Sequence, residues 1–283
     1  MNHIRHHFTV DVEEYYHVSA LEGRVPRRAW SQMESRMQET MDRLLSVMDQ
    51  GGVRGTFFVL GVVAEAHPGV VRRLAAEGHE VASHGWDHAR VGSLAPDEFR
   101  DQVRRTRALL RELSGQPVDG YRAPSFSITR GREWTLEILA EEGHSYDSSL
   151  YPVRRPGYGY AGGQRDIHTL TLVSGPLVEV PPMVLRAAGM NLPAGGGGSF
   201  RHLPYSLVRT ALRQAERRGQ PGTFYLHPWE LDPDQPRLPG LGWLTRLRHY
   251  GGLERTEARL CRLFDEFHFQ PIRATLTKGV RNR

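Results

Sequence analysis

The chain has 283 residues, with 37 Lys+Arg against 32 Asp+Glu and a formal charge of +5. A composition of 39% hydrophobic and 24% charged residues excludes a disordered chain, and the length allows a sizeable buried core. The arginines are interleaved with acids, as in Arg36, Glu39, Asp42 and Arg43, which is the pattern of solvated helix faces and argues against a nucleic-acid partner.

Strand-like and helix-like segments alternate. Residues 8–12 are short and β-branched and read as a strand. Met37, Met41, Leu44, Leu45 and Met48 then recur at helical spacing until Gly51 and Gly52 stop the helix. Residues 56–60 suit a buried parallel strand, 70–76 a helix and 80–83 a strand. Pro96 opens a helix with Phe99, Val103, Leu110 and Leu113 on one face. A strand at 118–122, a helix at 133–142 and an extended piece at 146–150 follow. Residues 151–204 break the rhythm with many glycines and prolines, and read as loops with one or two extra strands such as 177–180. A helix at 207–217, a strand at 223–227, a helix at 257–267 and a strand at 271–275 complete the series.

Repeated β-α units favour a parallel sheet covered by helices, either an open doubly wound sheet or a closed barrel. In both, the C-terminal ends of the strands carry the chemistry. The chain places charged and imidazole groups there. The first strand ends in Asp11, Val12, Glu13 and Glu14, the third in His84 and His88, the fourth in Arg122 and Ser125, and the late strand in His227, Trp229 and Glu230. His84 and His88 can aim at one point from a single turn, and one carboxylate added to them makes a His₂–carboxylate site for Zn²⁺ or for non-haem iron.

Other patterns fail. The G-x-G-x-x-G match at 157–162 follows Pro156 without strand or helix context, so it reads as a loop. The glycine run 195–198 leads to Ser199 with no lysine and is no P-loop. No G-x-S-x-G elbow exists. His3, His6 and His7 read as solvent-facing or structural. The one cysteine, Cys261, allows no intrachain disulfide. The first eleven residues lack the apolar core of a signal peptide, and the apolar run 57–64 is too short to span a bilayer. The expected location is therefore the cytoplasm, with action at the inner membrane face as an extension of that expectation.

Together, Thr9-Val10-Asp11-Val12-Glu13, Ser83-His84 with His88, Arg122 with Pro124, Tyr146-Asp147-Ser148-Ser149 and Leu226-His227 resemble the NodB-type polysaccharide deacetylases, carbohydrate esterase family 4. Asn191-Leu192-Pro193, the glycine run, the stretch 227–233 and Arg248-His249-Tyr250 resemble the subgroup linked to exopolysaccharide loci of bacteria with exosortase-type (PEP-CTERM) sorting. The resemblance implies an α/β fold, an irregular (β/α) barrel with fewer than eight regular strands. It also implies a single catalytic domain over 1–283, with the loop-rich excursion and a C-terminal extension inside 151–283. The implied activity is metal-dependent removal of N-acetyl groups from an N-acetylated glycan.

One departure stands out. The family's first strand usually ends in two adjacent aspartates, whereas here Val12 follows Asp11. Because strand side chains alternate, Asp11 and Glu13 share a side, which makes Glu13 the expected ligand and Glu14 the fallback. The resemblance then implies a divalent metal, most simply Zn²⁺, on Glu13, His84 and His88. It implies Asp11 as base, Arg122 pairing with Asp11, the backbone near Ser125 as oxyanion donor, and His227 as acid oriented by Asp147. Trp86 and Trp229 are expected to stack on sugar. The rivals are a metal-free hydrolase resembling allantoinase and a glycan-binding protein without catalysis.

Overall fold

The computed structural model describes residues 4–281; His3 lies outside them. In chain order the elements are β1 (His6–Val12), α1 (Met37–Gln50), β2 (Thr56–Val59), α2 (Gly61–Ala66), α3 (Pro68–Ala76), β3 (Glu80–Ser83), α4 (Pro96–Ser114), β4 (Gly120–Tyr121), α5 (Trp134–Glu141) and β5 (Tyr146–Asp147). These are followed by β6 (His168–Leu172), β7 (Gly175–Glu179), β8 (Val184–Ala187), β9 (Met190–Pro193), α6 (Gly197–His202), α7 (Tyr205–Arg217), β10 (Thr223–Leu226), α8 (Trp243–Tyr250), α9 (Thr256–Glu266), β11 (Phe269–Gln270) and α10 (Ile272–Arg281).

The main sheet runs β10-β1-β2-β3-β4-β5-β7-β6, with β11 paired to the start of β1. Every pairing is parallel except β6 with β7. The free edge of β10 is not left open. Met183 donates its N–H to Thr223 O (2.9 Å), Tyr225 donates to Gly195 O (2.7 Å), and Gly196 bridges Tyr225. The segment leaving β7 thus curls round to β10 and makes the sheet an irregular barrel. The glycine run 195–198 is part of this wall.

Alternation along β1 sorts the two sides of the sheet. Phe8, Val10 and Val12 join one apolar cluster with Met41, Leu44 and Met48 of α1 and Phe264 of α9. Each such fully buried side chain contributes roughly 1.5–3 kcal/mol. His7, Thr9, Asp11 and Glu13 alternate with them and are also buried, in a polar interior. His7 reaches Thr223 and Thr275, and Thr9 bonds Phe224 O and Arg122. His6 and His7 are accordingly structural rather than exposed.

Helix α4 shows how local sequence sets an element. Pro96 occupies the first turn, Glu98 reaches back to accept the Ala95 N–H at 2.8 Å, and Gly115 ends the helix at φ 64°. Phe99, Val103, Thr106 and Leu110 face inward. Two expectations need correction. The expected strand 271–275 starts α10, because Pro271 cannot donate a ladder bond and suits a helix start; the strand is Phe269–Gln270. The excursion holds four strands, with β8–β9 a separate antiparallel hairpin.

Candidate metal centre

The register assembles the site. Val12, Val59, Ser83, Tyr121 and Asp147 are successive cross-strand partners, so the residues that follow each strand stand at one rim. Val10 pairs with Leu226, which sets His227 level with Asp11. Among the described residues, three of the four non-glycine positions with positive φ lie here: His88 at 57°, Ser125 at 55° and Phe126 at 50°. Backbone held in this region costs about 1 kcal/mol or more per residue and concentrates at functional sites. Gly85, at φ 77°, makes the turn that returns His88 towards His84.

Glu13, His84 and His88 offer ligand atoms that all lie within 4.8 Å of one another, and all three are buried. His84 Nδ1 is 2.8 Å from Arg122 O, so this nitrogen carries the proton and Nε2 keeps a lone pair for a metal. Burial lowers His84 to about 4 and keeps the ring neutral, as a ligand must be. Glu13 Oε2 stands 2.9 Å from His88 Nε2 yet is buried without a well-formed hydrogen bond. Burial acts to raise the Glu13 carboxyl, but His88 and His227 outweigh it and hold the group below the usual carboxylate range. A buried, ionised carboxylate and two imidazoles fit a divalent cation with N and O donors.

Glu14 does not share this point. Its carboxylate accepts the Ser35 hydroxyl and the backbone N–H groups of Arg36 and Met37, capping α1, so geometry favours Glu13 over the fallback.

Asp11 lies beside the trio and is held by Arg122. The fully buried guanidinium donates to Asp11 Oδ1 at 2.7 Å, to Thr9 Oγ1 at 2.8 Å and to Ser148 Oγ at 2.8 Å, over the ring of Phe58. On the neighbouring strand, His227 Nε2 is 3.5 Å from Glu13 Oε1 and 3.9 Å from Asp11 Oδ2. Its Nδ1 is 2.7 Å from Glu230 Oε1, and Glu230 Oε2 accepts from Arg201 Nε at 2.6 Å. Burial works against charge on His227, yet Glu13, Glu230 and Asp11 raise the imidazolium to about 9.

Three expected roles change. Asp147 does not orient His227: its carboxylate bonds the Ser149 hydroxyl at 2.5 Å and the Ser149 N–H. It pairs with Glu179, whose Oε1 accepts the Leu150 N–H. Burial pushes both carboxyls up. Trp86 does not face a sugar, because its ring lies against Gly61 and under the Arg105 guanidinium, 3.3 Å from the ring centre. Trp229 is in the site, but His227 and His249 stack on it at 5.3 and 4.7 Å, and its Nε1 donates to Glu13 at 3.2 Å. It orients a ligand and leaves no face for a ring. Ser125 turns the chain after Pro124, and its hydroxyl meets that of Ser19 at 2.8 Å.

Glu230 and Arg201 received no role from the sequence. Pro228 directly after His227, with Glu230 three positions on, is a helix-start signature in which the acid folds back, and Glu230 does bond the His227 N–H as well as the ring. Arg201 carries no local signal of this kind.

Residues 27–143 match the family model described as Polysaccharide deacetylase. Over these residues the chain is similar to polysaccharide deacetylases. Residues 148–277 match a second model, Domain of unknown function (DUF3473). A peptidoglycan-N-acetylglucosamine deacetylase of Bacillus cereus is 33% identical over 100 residues, which is 35% of this chain and 36% of that protein. A chitooligosaccharide deacetylase of a Bradyrhizobium species is 33% identical over 97 residues, 34% of this chain and 42% of that one. The chain thus spans well under half of these relatives. A solved structure of a candidate polysaccharide deacetylase from Mycobacterium smegmatis superposes with a TM-score of 0.63 at 23% identity, over 99% of this chain and 92% of that one. This likeness bears on the fold alone, and it agrees with the expected α/β deacetylase architecture.

Proposed function

We propose that the protein is a metal-dependent hydrolase that removes N-acetyl groups from N-acetylated sugars of a poly- or oligosaccharide. The observation that carries this reading is that Asp11 and His227, 3.9 Å apart, stand together next to one buried Glu13–His84–His88 trio. A divalent cation bound there, Zn²⁺ in the simplest case, would acidify a water molecule and polarise the acetamide carbonyl. Asp11, held in place by Arg122, takes the proton of the attacking water. His227, held in its charged form by Glu230 and Glu13, gives a proton to the departing nitrogen. That proton is needed because an amine anion is a very poor leaving group. Trp229 fixes Glu13, and the backbone N–H at Ser125 serves as donor to the developing oxyanion, those of Phe126 and Ser127 being bonded to Ala123 O and Pro124 O.

We read the whole chain as one catalytic unit, since β1, paired to both β10 and β2, and β5, paired to both β4 and β7, join the strands of the two matched segments into one sheet. The resemblance of residues 191–193, 227–233 and 248–250 is what supports a place in the exopolysaccharide-associated subgroup. The substrate is then a nascent or lipid-linked glycan at the inner membrane face.

Acetate release from N-acetylglucosamine oligomers tests the reaction. Metal-supplied wild type should release acetate, and Asp11→Asn should lose turnover while keeping its metal. Oligomer binding without acetate release would replace this reading with a non-catalytic one.

A further inference from the structure

Helix α8 has two unlike faces. Its inner face buries His249 and Tyr250, and His249 stacks on Trp229, one ring away from Glu13. Its outer face leaves Trp243 72%, Leu247 55% and Leu244 47% exposed. These are the largest apolar side chains among the described residues to stand together in solvent on one helix turn, at spacings of one and four. Soluble proteins seldom leave such a group bare unless something covers it.

The charged side chains along this stretch of the chain have one sign. Arg246 and Arg248 are exposed on the same helix, and Arg237 lies just before it. Between residues 235 and 253 there is no aspartate or glutamate. A tryptophan and leucines flanked by arginines, without acids, form the arrangement in which apolar groups enter the headgroup layer and guanidinium groups meet anionic phosphates. The face is a short, protruding helix and not a groove, so it offers little to enclose a protein segment.

The position also fits. The residues Leu238 and Leu241, which lead into α8, pack in one cluster with Trp229, Tyr16 and Trp30 at the strand-end rim of the barrel. Arg201, which holds Glu230, donates to the carbonyls of Arg248, His249 and Gly251 at the end of α8. Helix α8 therefore packs beside the candidate metal centre, with its outer face in solvent.

We infer that the outer face of α8 docks the protein peripherally on an anionic lipid surface through Trp243, Leu244 and Leu247, with Arg246 and Arg248 on the headgroups. The inference does not depend on the proposed reaction, because vesicle binding is read without turnover.

Co-sedimentation of the full chain with phosphatidylglycerol-containing vesicles and with pure phosphatidylcholine vesicles tests it. Wild type should bind the anionic vesicles at least about tenfold more tightly, and binding should weaken as salt is raised. Trp243→Ser/Leu247→Ser should lose at least about tenfold of that binding with an unchanged thermal unfolding midpoint, since both side chains are already exposed. Equal binding by the variant, or no preference for anionic lipid, overturns the inference. A wild-type dimer in sedimentation velocity that the same variant dissolves, without vesicle binding, would assign the face to a second copy and likewise overturn it.

Discussion

Glu230 Oε1 stands 2.7 Å from His227 Nδ1, on the ring edge opposite the nitrogen that faces Asp11 and Glu13. The same carboxylate is tied to the buried Arg201, so the imidazole is held by a chain of charged groups reaching back to the end of α8. Such partners fix both the tautomer and the direction of a catalytic imidazole.

Glu230→Gln should therefore lower turnover of an N-acetyl substrate by about 10–100-fold, with a much smaller effect on an activated aryl acetate whose leaving group needs no proton. Asp147→Asn should stay within a few-fold of wild type on both, since its partners are Ser149 and Glu179. Steady-state kinetics on the two substrates check this. A large loss in Asp147→Asn and none in Glu230→Gln would reverse the assignment.

The two neighbouring glutamates should separate cleanly. Glu14→Ala removes the acceptor for Ser35, Arg36 and Met37 and should cost about 1–2 kcal/mol in urea unfolding with metal content unchanged. Glu13→Ala should lose the metal instead. Elemental analysis beside the unfolding curves distinguishes them.

Much of this was legible in the sequence, for a physical reason. Strand alternation put Asp11 and Glu13 on one side, and parallel strands put all strand ends at one rim, so Arg122 beside Asp11 and the His84–His88 pair beside Glu13 follow from chain order. What the sequence could not settle depended on ring directions and distant partners. Trp86 and Trp229 look alike as aromatic residues near a histidine, yet one is claimed by Gly61 and Arg105 and the other by two imidazoles. Asp147 looked available because Glu179, the partner that buries with it, lies in the irregular stretch.

The glycine run should be least tolerant at Gly196. Gly196 has φ 140°, and a Cβ there would sit 1.7 Å from Tyr225 O, where the backbone bridges β10. Gly196→Ala should destabilise the protein by roughly 2–4 kcal/mol, while Gly198→Ala, whose Cβ would meet only His202 at 3.9 Å, should be nearly neutral. Thermal unfolding of the two variants checks the contrast.

Acid should unfold the protein earlier than its carboxylates alone would. Burial lowers His7 and His144 to about 3, far below the ordinary 6.5 of the unfolded chain. Below pH 6.5 the unfolded state binds protons that the folded state refuses, so stability is full above that pH and falls with pH down towards 3. At pH 5 each group should cost about 2 kcal/mol. Urea unfolding at pH 7 and pH 5 measures the difference, and equal stability at both would contradict it.

The most direct measurement of the central claim is bound metal per chain, in wild type and in His84→Ala/His88→Ala, after incubation with Zn²⁺, Co²⁺ or Fe²⁺ and removal of free ion. We expect close to one metal per wild-type chain and almost none in the folded double variant. Folded wild type that stays metal-free with every ion, or a variant that retains as much metal as wild type, would contradict a centre built from Glu13, His84 and His88.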